Sequence, residues 1–217
     1  MNRDKQNSLI QIYAENKAFL LPYIVIWVIS LAFAIIFGRE QSQIFINRLN
    51  SQFLDQFFKY VTYLGSGYFF VLVIFLVAIF RGKASGGLIV AAILSTIFVQ
   101  AFKHTIGGYR PYAFFEMYSD YSLHLVSGVK MLRMHSFPSG HTATAFAVFF
   151  YLAALTRKNW LKVSYLLLAV LVAYSRVYLS QHFVIDVVGG SFIGVLSSYV
   201  GLWWYYVVQK IRYETVV

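Results

Sequence analysis

The sequence predicts an all-α, polytopic integral membrane protein with six transmembrane helices in one bundle. Long apolar runs, a shortage of charge and an uneven placement of the charges that remain carry that reading. Only 12% of the 217 residues are charged and 59% are hydrophobic, against about 25% charged in an average soluble domain. Too little polar surface is left for solubility. A bilayer core takes roughly 20 largely apolar residues per helix. Six runs approach that length: 18–38, 60–80, 87–102, 142–156, 161–178 and 183–208.

The first run is too long, and starts too far into the chain, for a secretory signal peptide, and no small-residue cleavage site follows it; it is expected to be a retained span. Segment 39–59, with "IFINRLNSQFLDQFF", is patterned as an amphipathic helix lying on the outer surface. The second run follows it. The third and fourth are short and are expected to continue into polar helical ends. Only five residues, 177–181, separate Arg176 from His182, which predicts that spans five and six form a tight antiparallel pair. Trp203, Trp204, Tyr205 and Tyr206 suit a cytoplasmic aromatic belt. No internal repeat or low-complexity segment divides the chain, so 1–217 reads as a single membrane domain. Cysteine is absent, which excludes disulfides and thiolate metal sites.

The formal net charge is +10, and its distribution sets orientation. Arg3, Lys5 and Lys17 precede the first span, and Arg81 and Lys83 lie between the second and third. Arg157, Lys158 and Lys162 lie between the fourth and fifth, and Lys210 and Arg212 end the chain. Glu40, Asp55, Glu116 and Asp120 occupy the opposite loops. The positive-inside rule places both termini in the cytoplasm. The basic residues then read as orientation signals and lipid-headgroup contacts, and no nucleic-acid partner is expected.

A second set of residues is not explained by orientation. Lys103 ends span three and Arg110 follows it; His141 opens span four; Arg176 ends span five; His182 opens span six with Asp186 one turn inside. With six spans and a cytoplasmic amino terminus, all of these ends lie on the outer face. Lys103 and Arg110 are seven residues apart and share a helix face if the helix continues. Gly107-Gly108 and Pro111 predict that it ends nearby. Taken singly, each basic residue could be an interfacial side chain reaching for headgroups. A carboxylate inside an apolar helix costs roughly 2.5–3.5 kcal/mol, so Asp186 needs a partner. His182, four residues earlier, shares its face. A carboxylate on one ring nitrogen would fix the tautomer and leave the other free; a purely structural His–Asp tie is the other reading.

The stretch "MHSFPSGHT" sits directly before an apolar run. Pro138-Ser139-Gly140 supplies a rigid turn, a residue suited to capping, and a glycine that lets a ligand approach the backbone. The first free amides of the following helix form a ready anion site. With Lys103, Arg110 and Arg176 aimed at the same place, the fitting ligand is an anion with several oxygens, and phosphate suits better than carboxylate.

At these residues the sequence resembles the type 2 phosphatidic acid phosphatase superfamily, which includes bacterial membrane lipid phosphatases and, more distantly, vanadium haloperoxidases. "KHTIGGYRP" has the lysine, six residues and arginine-proline of the first motif, and "PSGH" is the second. "SRVYLSQHFVID" has the serine-arginine, five residues, histidine, three residues and aspartate of the third. The motifs occupy 103–186. The resemblance implies that Lys103, Arg110 and Arg176 bind phosphate oxygens with Ser139 and the Gly140 amide. It makes His182 the nucleophile of a phosphohistidine intermediate, Asp186 its orienting carboxylate, and His141 the general acid. It implies no metal and no cofactor, and as partners a lipid phosphate substrate and membrane lipids. The expected location is the bacterial cytoplasmic (inner) membrane, with the site on the periplasmic or extracellular side. Polyprenyl pyrophosphate, phosphatidylglycerophosphate, phosphatidic acid and lipid A phosphates all fit as substrates. A non-catalytic lipid-phosphate transporter or binding protein would use the same pocket; a haloperoxidase is disfavoured by the membrane spans. His104, His124 and His135 match no motif and read as solvated or interfacial. The aromatic segment 109–137 is expected at the interface, covering the site or simply anchoring there.

Overall fold

The structure, a computed structural model, describes residues 3–214 of the chain, with side chains described for 9–207. It is built from helices: α1 (Arg3–Glu15), α2 (Lys17–Asn47), α3 (Gln52–Val61), a 3₁₀ turn (Thr62–Gly65), α4 (Gly67–Arg81), α5 (Ala84–Thr105), α6 (Pro111–Tyr118), α7 (Gly140–Ala154), α8 (Asn159–Tyr178) and α9 (Val184–Glu214). Helices α2, α5 and α8, and α9 over Val184–Val207, are long and apolar enough to cross a bilayer. The protein is an integral membrane protein.

Of the six expected spans, four are single helices of sufficient length and apolarity among the described residues. The run at 60–80 is broken, because Gln52–Gly65 and Gly67–Arg81 meet at 54°; counted as one bent span, they raise four to five. Ser66 starts α4 afresh, its hydroxyl accepting from the Phe69 amide at 3.2 Å. Just before it, Gly65 is pressed onto the start of α7, where a Cβ would lie 2.6 Å from the His141 carbonyl oxygen. Helix α7 has 15 residues, about 22 Å at 1.5 Å per residue, short of a core about 30 Å thick. It tolerates that length because protein surrounds it: Ala145 through Tyr151 are all buried. The expected surface helix at 39–59 is also two pieces. Helix α2 kinks at Gly38 (φ 65°, ψ −177°) and continues to Asn47. Helix α3 begins after Ser51 and buries Phe58 against Tyr178, ring centroids 4.7 Å apart.

Helix α9 packs most extensively on α7 and α5, and less on α8, so the tight pairing of the last two spans gives way to a different arrangement. Glycines set it. A Cβ on Gly190 would lie 2.5 Å from the Ser139 carbonyl oxygen, and one on Gly87 would lie 2.6 Å from that of Gly201. Small residues let backbones touch, which is where helices in a membrane gain packing.

The end of the bundle holding the α1–α2 junction corrects one reading of charge. Lys162 is not a headgroup contact but buried, its ammonium donating to the Glu15 carbonyl at 2.6 Å and Asn16 Oδ1 at 2.8 Å. The terminal basic side chains of Arg3, Lys5, Lys210 and Arg212 lie outside the described residues. Of the expected aromatic belt only Trp204 is well exposed; Trp203, Tyr205 and Tyr206 pack on the core.

Candidate functional site

Lys103 and Arg110 do not share a helix face. Helix α5 ends at Thr105, and Gly107 (φ 55°) and Gly108 (φ 91°) turn the chain through left-handed conformations open to glycine. Residues 107–110 then run beside 133–137: the Arg110 amide donates to the Arg133 carbonyl at 2.8 Å, and the Ser136 amide to Gly108 at 3.2 Å. The first motif is thereby joined main chain to main chain to the segment that leads into the second. Pro111 opens α6 at its first turn, where its missing N–H is no loss.

The Arg110 side chain is turned inward, 5% exposed. Nε donates to the Met134 carbonyl at 2.9 Å, and Nη1 to the Gln181 carbonyl at 3.1 Å. Nη1 also stands 3.4 Å from His182 Nε2. Arg176, in the last turn of α8, is 7% exposed. Nη1 donates to Thr62 Oγ1 at 2.6 Å, Nη2 to Gln181 Oε1 at 3.4 Å, and Nε has no partner. Among the described residues neither guanidinium has a carboxylate within 4.0 Å. Buried charges are ordinarily paired, so two buried guanidiniums without a carboxylate make this cluster the candidate anion site.

His182 and Asp186 lie behind them, 2% and 1% exposed. Nδ1 of His182 is 3.6 Å from Asp186 Oδ2, an ion-pair rather than a hydrogen-bond separation, and Nε2 faces Arg110. Burial, ahead of the nearby charges, pushes His182 down to about 4, so its imidazole is neutral at pH 7. Asp186 Oδ2 accepts from Ser136 Oγ at 2.5 Å and from the Phe183 amide at 2.9 Å. Its carbonyl accepts from the Ser139 amide at 3.0 Å, which docks the Pro-Ser-Gly turn on α9.

Ser139 caps α7, its hydroxyl accepting from the Thr142 amide at 3.4 Å and from Thr142 Oγ1 at 2.9 Å. A Cβ on Gly140 would stand 3.8 Å from Lys103 Nζ, so the ammonium lies close to the open end of that helix. Lys103, Gly140 and His141 line a mostly polar cavity of about 170 Å³ with Gly65, Ser95 and Thr96. Two groups therefore form: a cavity-lining set from α5 and α7, and a buried set of Arg110, Arg176, His182 and Asp186. The Ser139–Gly140 turn connects them.

Thr62, Ser136 and Gln181 complete the cluster and carry no signal of spacing. Ser136 and Gln181 stand beside motif residues, which is their one trace in the sequence. Of the other histidines, His124 is not merely solvated, for its Nε2 is 2.9 Å from Asp55 Oδ2. His135, exposed, places Nδ1 3.1 Å from the Lys103 carbonyl. Segment 119–136 lies across this end as a strap, held where Lys59 Nζ donates to Ser127 at 2.8 Å and Asn47 Nδ2 to His124 at 2.9 Å. Gln181 Nε2 donates to the Lys130 carbonyl at 3.2 Å. The strap therefore meets Arg110 directly, through the Met134 and His135 carbonyls, and Gln181 through that of Lys130.

The sequence pattern of the PAP2 superfamily matches residues 84–212. The Lipid A 4'-phosphatase of Bacteroides thetaiotaomicron is 35% identical over 75 residues, 35% of this chain and 32% of that protein. The Lipid A 1-phosphatase of Porphyromonas gingivalis is 38% identical over 71 residues, 32% of this chain and 16% of that protein. The match thus spans about a third of the length of one relative and about a sixth of the other. Among solved structures, that of Aquifex aeolicus LpxE agrees with a TM-score of 0.63 at 32% identity, over 73% of this chain and 90% of that one. The first transmembrane PAP2-type phosphatidylglycerolphosphate phosphatase structure from Bacillus subtilis agrees with a TM-score of 0.60 at 23% identity, over 87% and 94%. That second likeness is one of fold.

Proposed function

The chain belongs to the PAP2 superfamily, and from that premise we propose that it is a membrane phosphatase that removes phosphate from lipids. The observation that carries this is the neutral His182, Nε2 facing Arg110 and Nδ1 facing Asp186, beside two buried guanidiniums that have no carboxylate of their own. An imidazole so placed is a nucleophile, and the missing counter-ion is the substrate.

In the proposed reaction Arg110, Arg176 and Lys103 hold the phosphate oxygens, with the Gly140 amide at the positive end of α7. Ser139 contributes by capping and shaping that helix end. His182 Nε2 attacks phosphorus and the bond to the lipid oxygen breaks, while His141 donates a proton to the departing alcohol. Asp186 stabilises the imidazolium character that develops. Water then attacks the phosphohistidine and gives up a proton to His141; the N–P bond breaks, inorganic phosphate leaves and both imidazoles are restored. Phosphoryl transfer depends chiefly on positioning and on charge stabilisation at the equatorial oxygens. Fixed cationic side chains supply both, so the reaction is proposed to need no metal. The site is proposed to face the periplasmic or extracellular side of the inner membrane, with both termini cytoplasmic. The names of the two partial relatives put lipid A phosphates first in a substrate panel, with phosphatidylglycerophosphate, polyprenyl pyrophosphate and phosphatidic acid beside them.

The test is phosphate release by purified protein in detergent with EDTA across that panel. Turnover that vanadate inhibits is expected, and a trapped phosphohistidine should disappear in His182→Ala. Release from none of the panel would overturn the enzymatic reading. Lipid transfer that survives His182→Ala would put a transporter in its place.

A further inference from the structure

Arg110 and Arg176 come from segments 66 positions apart, carry the same charge and are both withdrawn from solvent. Left to themselves they would repel, and burial leaves that repulsion poorly screened. One neutral side chain reaches both. Gln181 Oε1 lies 3.5 Å from Arg110 Nη1 and 3.4 Å from Arg176 Nη2. Its main-chain oxygen accepts from Arg110 Nη1 at 3.1 Å, and its amide donates to the Arg176 carbonyl at 3.0 Å. The other end of the side chain is also spoken for: Nε2 donates to the Lys130 carbonyl at 3.2 Å and contacts the Met131 sulfur at 3.3 Å. The residue is 3% exposed, so these contacts fix its rotamer.

An amide oxygen is a dipole, not a charge. It can set the spacing of two guanidiniums without cancelling the field that draws in a phosphate. A carboxylate in the same place would pair with both arginines and compete with the anion. We propose that Gln181 is a positioning residue that holds Arg110 and Arg176 side by side for two oxygens of one phosphate and ties that pair to the strap at 130–131. The role rests on the reading of this cluster as a phosphate site.

Two substitutions of similar length test it in the intact protein in detergent. Gln181→Met removes the side-chain hydrogen bonds, leaves the two main-chain ones and keeps the volume. It should lower kcat/KM and weaken vanadate inhibition together by about ten- to a hundredfold, the scale of a lost charge-assisted hydrogen bond, with little change in melting temperature. Gln181→Glu should leave the melting temperature equal or higher while weakening vanadate more than Gln181→Met does. A merely structural residue would move stability and anion affinity in the same direction. Vanadate affinity within about twofold of the parent in both variants, or lost only in step with melting temperature, would overturn the role. Vanadate-induced thermal stabilisation reads the site without turnover. If no lipid is hydrolysed, yet vanadate stabilises the parent and not Gln181→Met, the positioning role stands and the phosphatase reading fails. If the parent turns over and both variants match it, the phosphatase stands and the positioning role fails. A parent that vanadate neither inhibits nor stabilises removes the positioning role with the anion site.

Discussion

Helix α8 carries a buried cation near each end, and the two are answered differently. Lys162, 3% exposed, sits where α1 hands over to α2 and has a carbonyl and an amide oxygen within 2.8 Å. It also satisfies the end of α1, whose last carbonyls have no helical partners. Arg176, 7% exposed, meets a hydroxyl, a shared amide oxygen and a second guanidinium, and leaves Nε unanswered. Burial is therefore no guide to role. The structural cation arrives with its acceptors; Arg176, proposed to meet a phosphate, leaves Nε without one.

The comparison can be broken from either side. The largest effects belong to the Arg176 end. His182→Ala should remove turnover by at least about 10³-fold, the scale of losing a nucleophile, while the protein still purifies folded. Arg176→Gln should cost about 10²-fold or more in kcat/KM with no fall in melting temperature, since it withdraws an unpaired buried charge. Lys162→Met should do the reverse. It leaves the buried Asn16 amide oxygen without that donor, which costs about 1–3 kcal/mol, while kcat stays near that of the parent in a phosphate-release assay. Equal melting-point losses in Arg176→Gln and Lys162→Met would dissolve the distinction between the two cations.

A smaller effect sharpens where the site is held. A Cβ on Gly194 would stand 2.9 Å from the Phe146 Cβ and 3.0 Å from the Ala147 amide nitrogen. Gly194→Ala should lower stability by about 1–3 kcal/mol through overpacking, read by thermal unfolding in detergent. The smallest effect is in pH. Because burial holds His182 near about 4, the folded protein binds fewer protons there than the unfolded chain between pH 6.5 and that value. Stability is then lost as pH falls through this window, by at most about 1.4 kcal/mol per pH unit. Replacing His182 with Phe should flatten the melting temperature between pH 6.5 and 5; an unchanged slope would mean that His182 titrates as in the unfolded chain.

The motif residues were legible because their spacing is local: Arg176, His182 and Asp186 lie within eleven positions. Their supports were not. Thr62 meets Arg176 across 114 positions and Gln181 meets Arg110 across 71, and no periodicity encodes such a meeting. Hydropathy gave the apolar runs but not the break at Gly65–Ser66, because the flanking sequence stays apolar while packing against His141 forces the turn. Lys162 misread for a related reason: a basic residue near a span end looks the same whether its acceptor is a headgroup or a carbonyl.

The glycine contacts of α9 have a mechanical consequence. Gly201 lies fifteen residues beyond Asp186, about 22 Å down the helix, and there α9 touches α5 main chain to main chain, as it touches the α7 end at Gly190. A rod seated at both heights can neither slide nor roll freely, so the depth of the carboxylate is gauged from far below it.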